Sequence, residues 1–365
     1  MGTDNRTYLK PIGSLQLLAI ISVVIGHFAV RDPIFMNSHW VSFCFIYSSF
    51  FTAMLHPFGP DYNLRDHTHY MWGKLAKLYP LHLLALALGI FVARYLWGFG
   101  ISLKALLAQL TFISPWIPDK NYYFAYNPVA WFVCDIFFLY LMAPLVVRLL
   151  RRCRLALQVA LIITLLVLEY LAGYTPSDGS RKAFLGMYIL YEFPPIRLLD
   201  FALGVVLFNL TQGAWWKRLQ SRVTATNATV IELCGVLLTV LLYVAEKSYL
   251  FIHCYRACCV VAPSIVVLLA TFLLTSKSGG CLSRILCWKP ISAMTAFVSE
   301  VYLLQFGVFY ALSPILKKFG LQLYDPRQFI LFFVALLIIS WLTHRYYVTP
   351  AKKWLMSCRD KVLKQ

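Results

Sequence analysis

Apolar runs about twenty residues long recur from one end of the chain to the other, broken by short polar stretches in which Lys and Arg gather. A helix needs roughly twenty apolar residues to cross a bilayer. On that measure the pattern predicts spanning helices over about 11–30, 40–58, 73–97, 128–149, 155–174, 194–211, 228–246, 249–275, 290–316 and 328–348. The reading is an all-α polytopic membrane protein, a single bundle of about ten transmembrane helices forming one domain over 1–365, with no soluble domain and no internal repeat. An even number of crossings puts both termini on one side. The basic clusters Arg151-Arg152-Cys153-Arg154, Lys217-Arg218, Lys352-Lys353 and Arg359/Lys361/Lys364 all fall on that side of the arrangement. Lys and Arg are retained on the cytoplasmic face, so both termini are expected in the cytoplasm, with 349–365 a basic cytoplasmic tail.

Two stretches resist simple spanning. Residues 102–116 (SLKALLAQLTFISPW) are apolar, but a crossing there breaks the charge asymmetry, so an interfacial or re-entrant helix on the outer side is predicted. Pro194-Pro195 interrupts another apolar run, and a span is expected to begin there, because Pro is tolerated at a helix start.

Composition agrees with the pattern. The chain is 60% hydrophobic and 13% charged, with a mean hydropathy of +0.70, whereas soluble domains carry about a quarter charged residues. The net charge of +18 follows from cytoplasmic retention of Lys and Arg, and no nucleic-acid partner is expected. Ten cysteines show no CxxC pair and no Cys/His cluster at metal-ligand spacing, and Cys258-Cys259 is vicinal. They read as small hydrophobes, with no metal site and no structural disulfide predicted. The first apolar run is as long as a spanning helix and lacks a small-residue cleavage site, so no cleavable signal peptide is expected.

Ionisable groups inside spans are costly and therefore informative. They are His27, Asp135, Glu169, Arg197, Asp200, Glu232, Arg256 and Glu300, with Lys74 and Lys77 at a helix mouth. Gln16 and His27 are eleven residues apart, which on a helix places them on nearly one face about 16 Å apart. Lys74 and Lys77 share a face; they either hold an anionic cosubstrate or snorkel as cytoplasmic anchors. Asp135, four residues after Trp131, either orients an imidazole or pairs with a basic residue on another helix. Arg197 and Asp200 stand three apart, a spacing at which they pair with each other, or Arg197 faces an anionic or carbonyl group. Glu300 and Tyr302 point to different contacts, while Glu169, Glu232 and Arg256 read as helix-end or pairing residues.

Taken in order, these segments resemble the membrane acyltransferase-3 family. The resemblance rests on His27 in the first span, Ser48, Ser49 and Phe50 in the second, and Lys74, Lys77, Tyr79 and Pro80 in the third. It continues with Trp131, Asp135, Tyr140 and Pro144, then Pro195, Arg197, Phe201 and Gly204, then Glu300, Tyr302 and Leu303. Gly13 and Gln16 stand where an Asp and an Arg are usual in the family pattern, Asp135 where a Glu is usual, and Gln305 where a His is frequent. Gln16 cannot act as a guanidinium clamp.

The resemblance implies acyl-CoA, usually acetyl-CoA, as donor and a hydroxyl, less often an amine, as acceptor, with His27 central to catalysis as a base or a transient acyl carrier. Lys74, Lys77 and Gln16 are then the cosubstrate-binding residues, and Asp135 or Glu300 orients the imidazole. Tyr302, Arg197 and Trp131 serve the substrate or oxyanion. The acceptor is expected to be a cell-surface glycan or lipid-linked sugar reaching the bilayer of a bacterial inner membrane. Homo-oligomerisation is left open. Two rival readings are a small-molecule transporter and a catalytically inactive family member acting as a binding subunit.

Overall fold

The computed structural model describes residues 9–29, 37–172, 181–245, 263–322 and 325–362. Among them the regular structure is helical, with no strand. In chain order the helices are α1 (Lys10–Phe28), α2 (Asn37–Leu55), α3 (Leu64–Phe91), α4 (Leu103–Leu110), α5 (Trp131–Arg152), α6 (Leu155–Ala172), α7 (Arg181–Tyr191) and α8 (Leu198–Gln212). Then come α9 (Ala214–Ser221), α10 (Ala225–Ala245), α11 (Pro263–Thr275), α12 (Cys281–Leu286), α13 (Lys289–Met294), α14 (Val298–Lys318), α15 (Pro326–Thr343) and α16 (Thr349–Val362). A π-helical turn at Val92–Leu96 extends α3, and another at His344–Val348 joins α15 to α16.

Among the described residues, six helical runs are long and apolar enough to cross a membrane: Lys10–Phe28, Leu64–Leu96, Trp131–Arg152, Ala225–Ala245, Lys289–Lys318 and Pro326–Lys361. A seventh results if α8 and α9, bent by 68° at their junction, form one span. The apolar helices His39–Leu55, Leu155–Leu165 and Pro263–Thr275 are shorter. The predicted span 249–275 falls partly outside the described residues, as do Arg256, Cys258-Cys259 and the side chain of Glu169.

The chain clusters into two compact units. The first holds Met1–Ala19, Ser38–Pro57 and Ala143–Ala296. Here close helix contact depends on glycine. A Cβ at Gly204 on α8 would lie 1.9 Å from Ser49 Oγ and 2.2 Å from the Ile46 carbonyl oxygen of α2. At Gly235 on α10 it would meet Thr271 Oγ1 of α11 at 2.2 Å. Small residues at such crossings let backbones approach in a bilayer, where packing replaces the hydrophobic drive. The opposite face of α10 exposes Leu233, Leu237, Leu238 and Leu241, as a lipid-facing surface should. Helix ends are closed by side chains from elsewhere in the unit. Arg151 donates to the Ala53 and Pro57 carbonyls at 2.8 and 2.6 Å, capping the end of α2. Buried Glu232 accepts from the backbone N–H groups of Gly280, Leu282 and Ser283 at 2.9–3.1 Å, covering the start of α12. This is the helix-end role expected of it.

The second unit holds Ile20–Asn37, Phe58–Met142 and Phe297–Gln365. In it α14 packs on α15 and on α3, and α16 packs on α3. Along α15, Phe332, Leu336 and Ser340 are buried, while Ile330, Leu331, Val334 and Ile338 face outward. The stretch expected to be interfacial or re-entrant forms the short helix α4, exposing Leu103 and Leu107 and burying Ala105, Ala108 and Gln109. The Gln109 carbonyl accepts from His82 Nε2 at 2.9 Å, and its amide donates to the Tyr122 carbonyl at 2.8 Å, holding the following loop against α3. Within the basic segment 349–365, α16 occupies Thr349–Val362, and Trp72 Nε1 donates to the Leu355 carbonyl at 2.9 Å. Its charge reads as solvated, but one face of α16 lies on α3.

Gly204→Ala should cost about 1–3 kcal/mol of stability, because the added methyl meets backbone that cannot yield. Thermal unfolding in detergent measures it, and an unchanged midpoint would refute the close α2–α8 crossing.

Candidate active site

The end of α1 is pinned by aromatic side chains. The Phe28 ring lies 4.4 Å from Phe309, 4.9 Å from Phe332 and 5.0 Å from Phe306, which fixes α1 against α14 and α15 within the second unit. Its neighbour His27 is thereby brought, half-buried, to α14, where His27 Nδ1 is 2.8 Å from Gln305 Oε1. The orientation of that amide follows from its other contact. Gln305 Nε2 is 2.8 Å from the Tyr302 carbonyl oxygen, which can only accept. The amide therefore offers its oxygen to the imidazole, Nδ1 carries the proton, and Nε2 is left as the nitrogen with a free lone pair. The Phe306 ring, 5.1 Å away, shields one side of the imidazole. Neither Asp135 nor Glu300 hydrogen-bonds His27; the orienting position is taken by Gln305.

Glu300, buried in the first turn of α14, accepts instead from His344 Nδ1 at 2.7 Å, and His344 Nε2 faces Thr349 Oγ1 at 3.4 Å. Lys77 lies on α3, which packs on α14. Among the described residues it makes no ion pair with that carboxylate. Lys77 is an exposed residue on that helix. The Lys74 ammonium sits 4.1 Å from the Tyr140 ring centroid and 5.0 Å from that of Tyr70, a cation–π setting on the same helix. Trp131 and Tyr302 are buried in this unit, and Phe132 packs edge-on against Tyr302 at 5.1 Å. Asp135 is fully buried on α5. No group of three or more His, Cys, Asp or Glu residues able to hold a metal occurs among the described residues.

The acyltransferase domain of the acyltransferase-3 family matches residues 12–345, nearly the whole chain. The chain belongs to the acyltransferase-3 family. One relative, the acyltransferase MdmB of Streptomyces mycarofaciens, is 25% identical over 159 residues, 40% of this chain and 40% of its own length. The match thus spans well under half of that relative. No solved structure matches the chain.

In this acyltransferase-3 chain the first-unit candidates have other surroundings. Fully buried Arg197 pairs with Asp200 at 3.0 Å, the outcome its spacing predicts. It also donates to the Tyr191 carbonyl at 2.8 Å and to Ser42 Oγ at 3.2 Å, between the Tyr191 and Phe45 rings. That guanidinium ties α8 to α2. Half-buried Gln16 makes no hydrogen bond among the described residues. At Gly13 a Cβ would stand 3.9 Å from Tyr47 OH, an ordinary contact, so crowding does not account for the missing side chain.

His344 escapes the sequence reading. The argument that singles out His27, an imidazole near the end of an apolar helix, applies equally to the segment ISWLTHRYY.

Breaking a buried ion pair strands the remaining charge, so Arg197→Ala should lose roughly 3–5 kcal/mol of stability. Arg197→Met combined with Asp200→Leu should recover most of it, as read by thermal unfolding in detergent. A single variant as stable as the parent would contradict this structural role.

Proposed function

We propose that this protein is an integral membrane acyltransferase. It moves an acyl group, acetyl in the simplest case, from cytosolic acyl-CoA to a hydroxyl of a cell-surface or lipid-linked glycan at a bacterial inner membrane. One observation carries the reading: the Gln305 amide, fixed by the Tyr302 carbonyl, holds the Nδ1 proton of His27 and leaves Nε2 basic. A nitrogen so prepared suits general-base catalysis. His27 Nε2 takes the proton of the acceptor hydroxyl, and the oxygen attacks the thioester carbonyl carbon. The tetrahedral intermediate collapses with cleavage of the carbon–sulfur bond, and the imidazolium returns its proton to the departing CoA thiolate. Tyr302 and Trp131 are the proposed groups beside the reacting carbonyl, and Asp135 a supporting carboxylate in the same unit.

Lys74 and Lys77 supply the donor side of the proposal. CoA carries several phosphates and does not cross hydrocarbon, so it approaches from the cytosol and is met by these ammonium groups. Its pantetheine arm reaches about 15–20 Å. About ten crossings with both termini cytoplasmic belong to the same reading, and labelling of cysteines introduced at each end, in intact cells and in inverted vesicles, tests the sidedness.

His27→Ala should lower transfer by roughly 10²–10⁴-fold, the usual range for removing a general base. Mass spectrometry of envelope glycans and lipids from cells carrying each variant reads this as loss of an acyl-sized mass increment. Full modification by a folded, membrane-inserted His27→Ala protein would refute the assignment. Gln305→Leu, which frees the imidazole to adopt either tautomer, should lower the rate while leaving donor binding unchanged. Lys74→Gln with Lys77→Gln should raise the KM for acyl-CoA by about tenfold, the equivalent of 1.4 kcal/mol. A KM equal to that of the parent would return the lysines to anchoring.

A further inference from the structure

The run Pro326–Lys361 is one continuous helix of 36 residues, its backbone staying helical through the π-turn at His344–Val348. At about 1.5 Å per residue it is about 54 Å long, whereas hydrocarbon about 30 Å thick takes about twenty residues. Counted from Pro326, the hydrocarbon ends near Arg345–Val348, and the composition changes there. Residues 328–344 hold no Lys, Arg, Asp or Glu, while α16 carries Lys352, Lys353, Arg359, Asp360 and Lys361. Trp341, Tyr346 and Tyr347 are exposed at the boundary, and the Arg345 guanidinium lies 5.8 Å from the Trp341 ring centroid and 5.7 Å from that of Tyr346. Aromatic belts of this kind mark where spans leave hydrocarbon.

The helix packed against α16 gives the level independently. Trp72 of α3, whose indole donates to the Leu355 carbonyl, stands six residues before Leu78, where a stretch without Lys, Arg, Asp or Glu begins and runs to Ala93. Six residues are about 9 Å of helix, so Leu355 stands about 9 Å outside hydrocarbon. Lys353 and Lys352, two and three residues nearer, stand about 5–6 Å outside. The headgroup layer is about 5–8 Å deep on each face of a bilayer, so both ammonium groups fall at its level. Lys352 and Lys353 are exposed and make no hydrogen bond or ion pair among the described residues. Arg359, by contrast, is held by Asp360 at 2.6 and 2.8 Å. Trp354, next in the chain, is 67% exposed.

We infer that Lys352, Lys353 and Trp354 form a binding surface for anionic phospholipid headgroups. A lysine reaches a headgroup phosphate while its stem follows apolar surface, and Trp seats at the interface. A soluble anion would leave the Trp354 ring in water, whereas a lipid covers it. The Trp72–Leu355 hydrogen bond ties α16 to α3 and keeps the surface at that height. None of the three residues belongs to the proposed donor or catalytic set, so this binding and acyl transfer stand or fall separately.

The test is native mass spectrometry of purified full-length protein titrated in detergent with phosphatidylglycerol or phosphatidylcholine. The parent should bind phosphatidylglycerol more tightly. Lys352→Gln with Lys353→Gln should weaken the tightest phosphatidylglycerol binding by about thirtyfold, roughly fivefold per lysine, and leave phosphatidylcholine unaffected. Lys352→Arg with Lys353→Arg should bind as the parent does, and Trp354→Ala should weaken both lipids alike. A parent without preference, or a glutamine variant that keeps the parent's affinity, overturns the inference. Equal loss for both lipids in the glutamine variant marks a structural defect and overturns it too. Inorganic phosphate serves as competitor: displacement of the lipid by it makes the surface a free-anion site and overturns the lipid assignment. If the double variant does not fold, either single glutamine variant decides. A loss of about fivefold for phosphatidylglycerol alone supports the inference, and no loss overturns it.

Discussion

Hydrocarbon offers a buried polar side chain no partner, so each one must find its partner on another part of the protein. That constraint organises both compact units. In the first, Arg197 is satisfied by Asp200, Ser42 and the Tyr191 carbonyl, and Glu232 by the backbone at the start of α12. In the second, Gln305 pairs with His27, His344 with Glu300, and the loop that follows α4 accepts from Gln109 Nε2. Each link ties segments that apolar packing alone would leave free to slide or rotate. The structural pairs and the proposed chemical ones obey the same rule, and they differ in what remains open once the pairing is made.

His27 and Gln305 leave a nitrogen open. An amide partner sets the tautomer of an imidazole without bringing a charge beside it, which a carboxylate cannot do. The Glu300 carboxylate of this unit is directed elsewhere, to His344. The second unit therefore contains a basic nitrogen on α1 and the Lys74 and Lys77 side chains on α3, both helices meeting α14. In the proposed acyl transfer these are complementary provisions: one is proposed to activate the nucleophile and the other to receive the donor.

Much of the helical framework was legible in the chain, because a spanning helix needs only length and apolarity. The start of α8 followed from Pro194-Pro195, and the Arg197–Asp200 pair from a three-residue spacing. Both are local signals. The partners of His27 and Glu300 are not local. Gln305 lies 278 residues from His27 and His344 lies 44 from Glu300, so only helix packing brings them together. The family pattern drew attention to Gln305 as a titratable group lost, while the structure gives its amide the orienting place once sought for Asp135 or Glu300. The helical nature of 349–362 was hidden by its charge, since Lys352, Lys353, Arg359 and Lys361 mask the face that packs on α3. The number of crossings was blurred for a different reason: several apolar helices are shorter than a full span, and α8 meets α9 at a 68° bend.

The central claim is that the free nitrogen of His27 drives acyl transfer. Its most direct test is release of CoA thiol from acetyl-CoA by purified protein in liposomes, supplied with a glycan-rich membrane extract as acceptor. The account predicts acceptor-dependent thiol release by the parent protein and background release by His27→Ala inserted to the same extent. Equal release by the two proteins would contradict it.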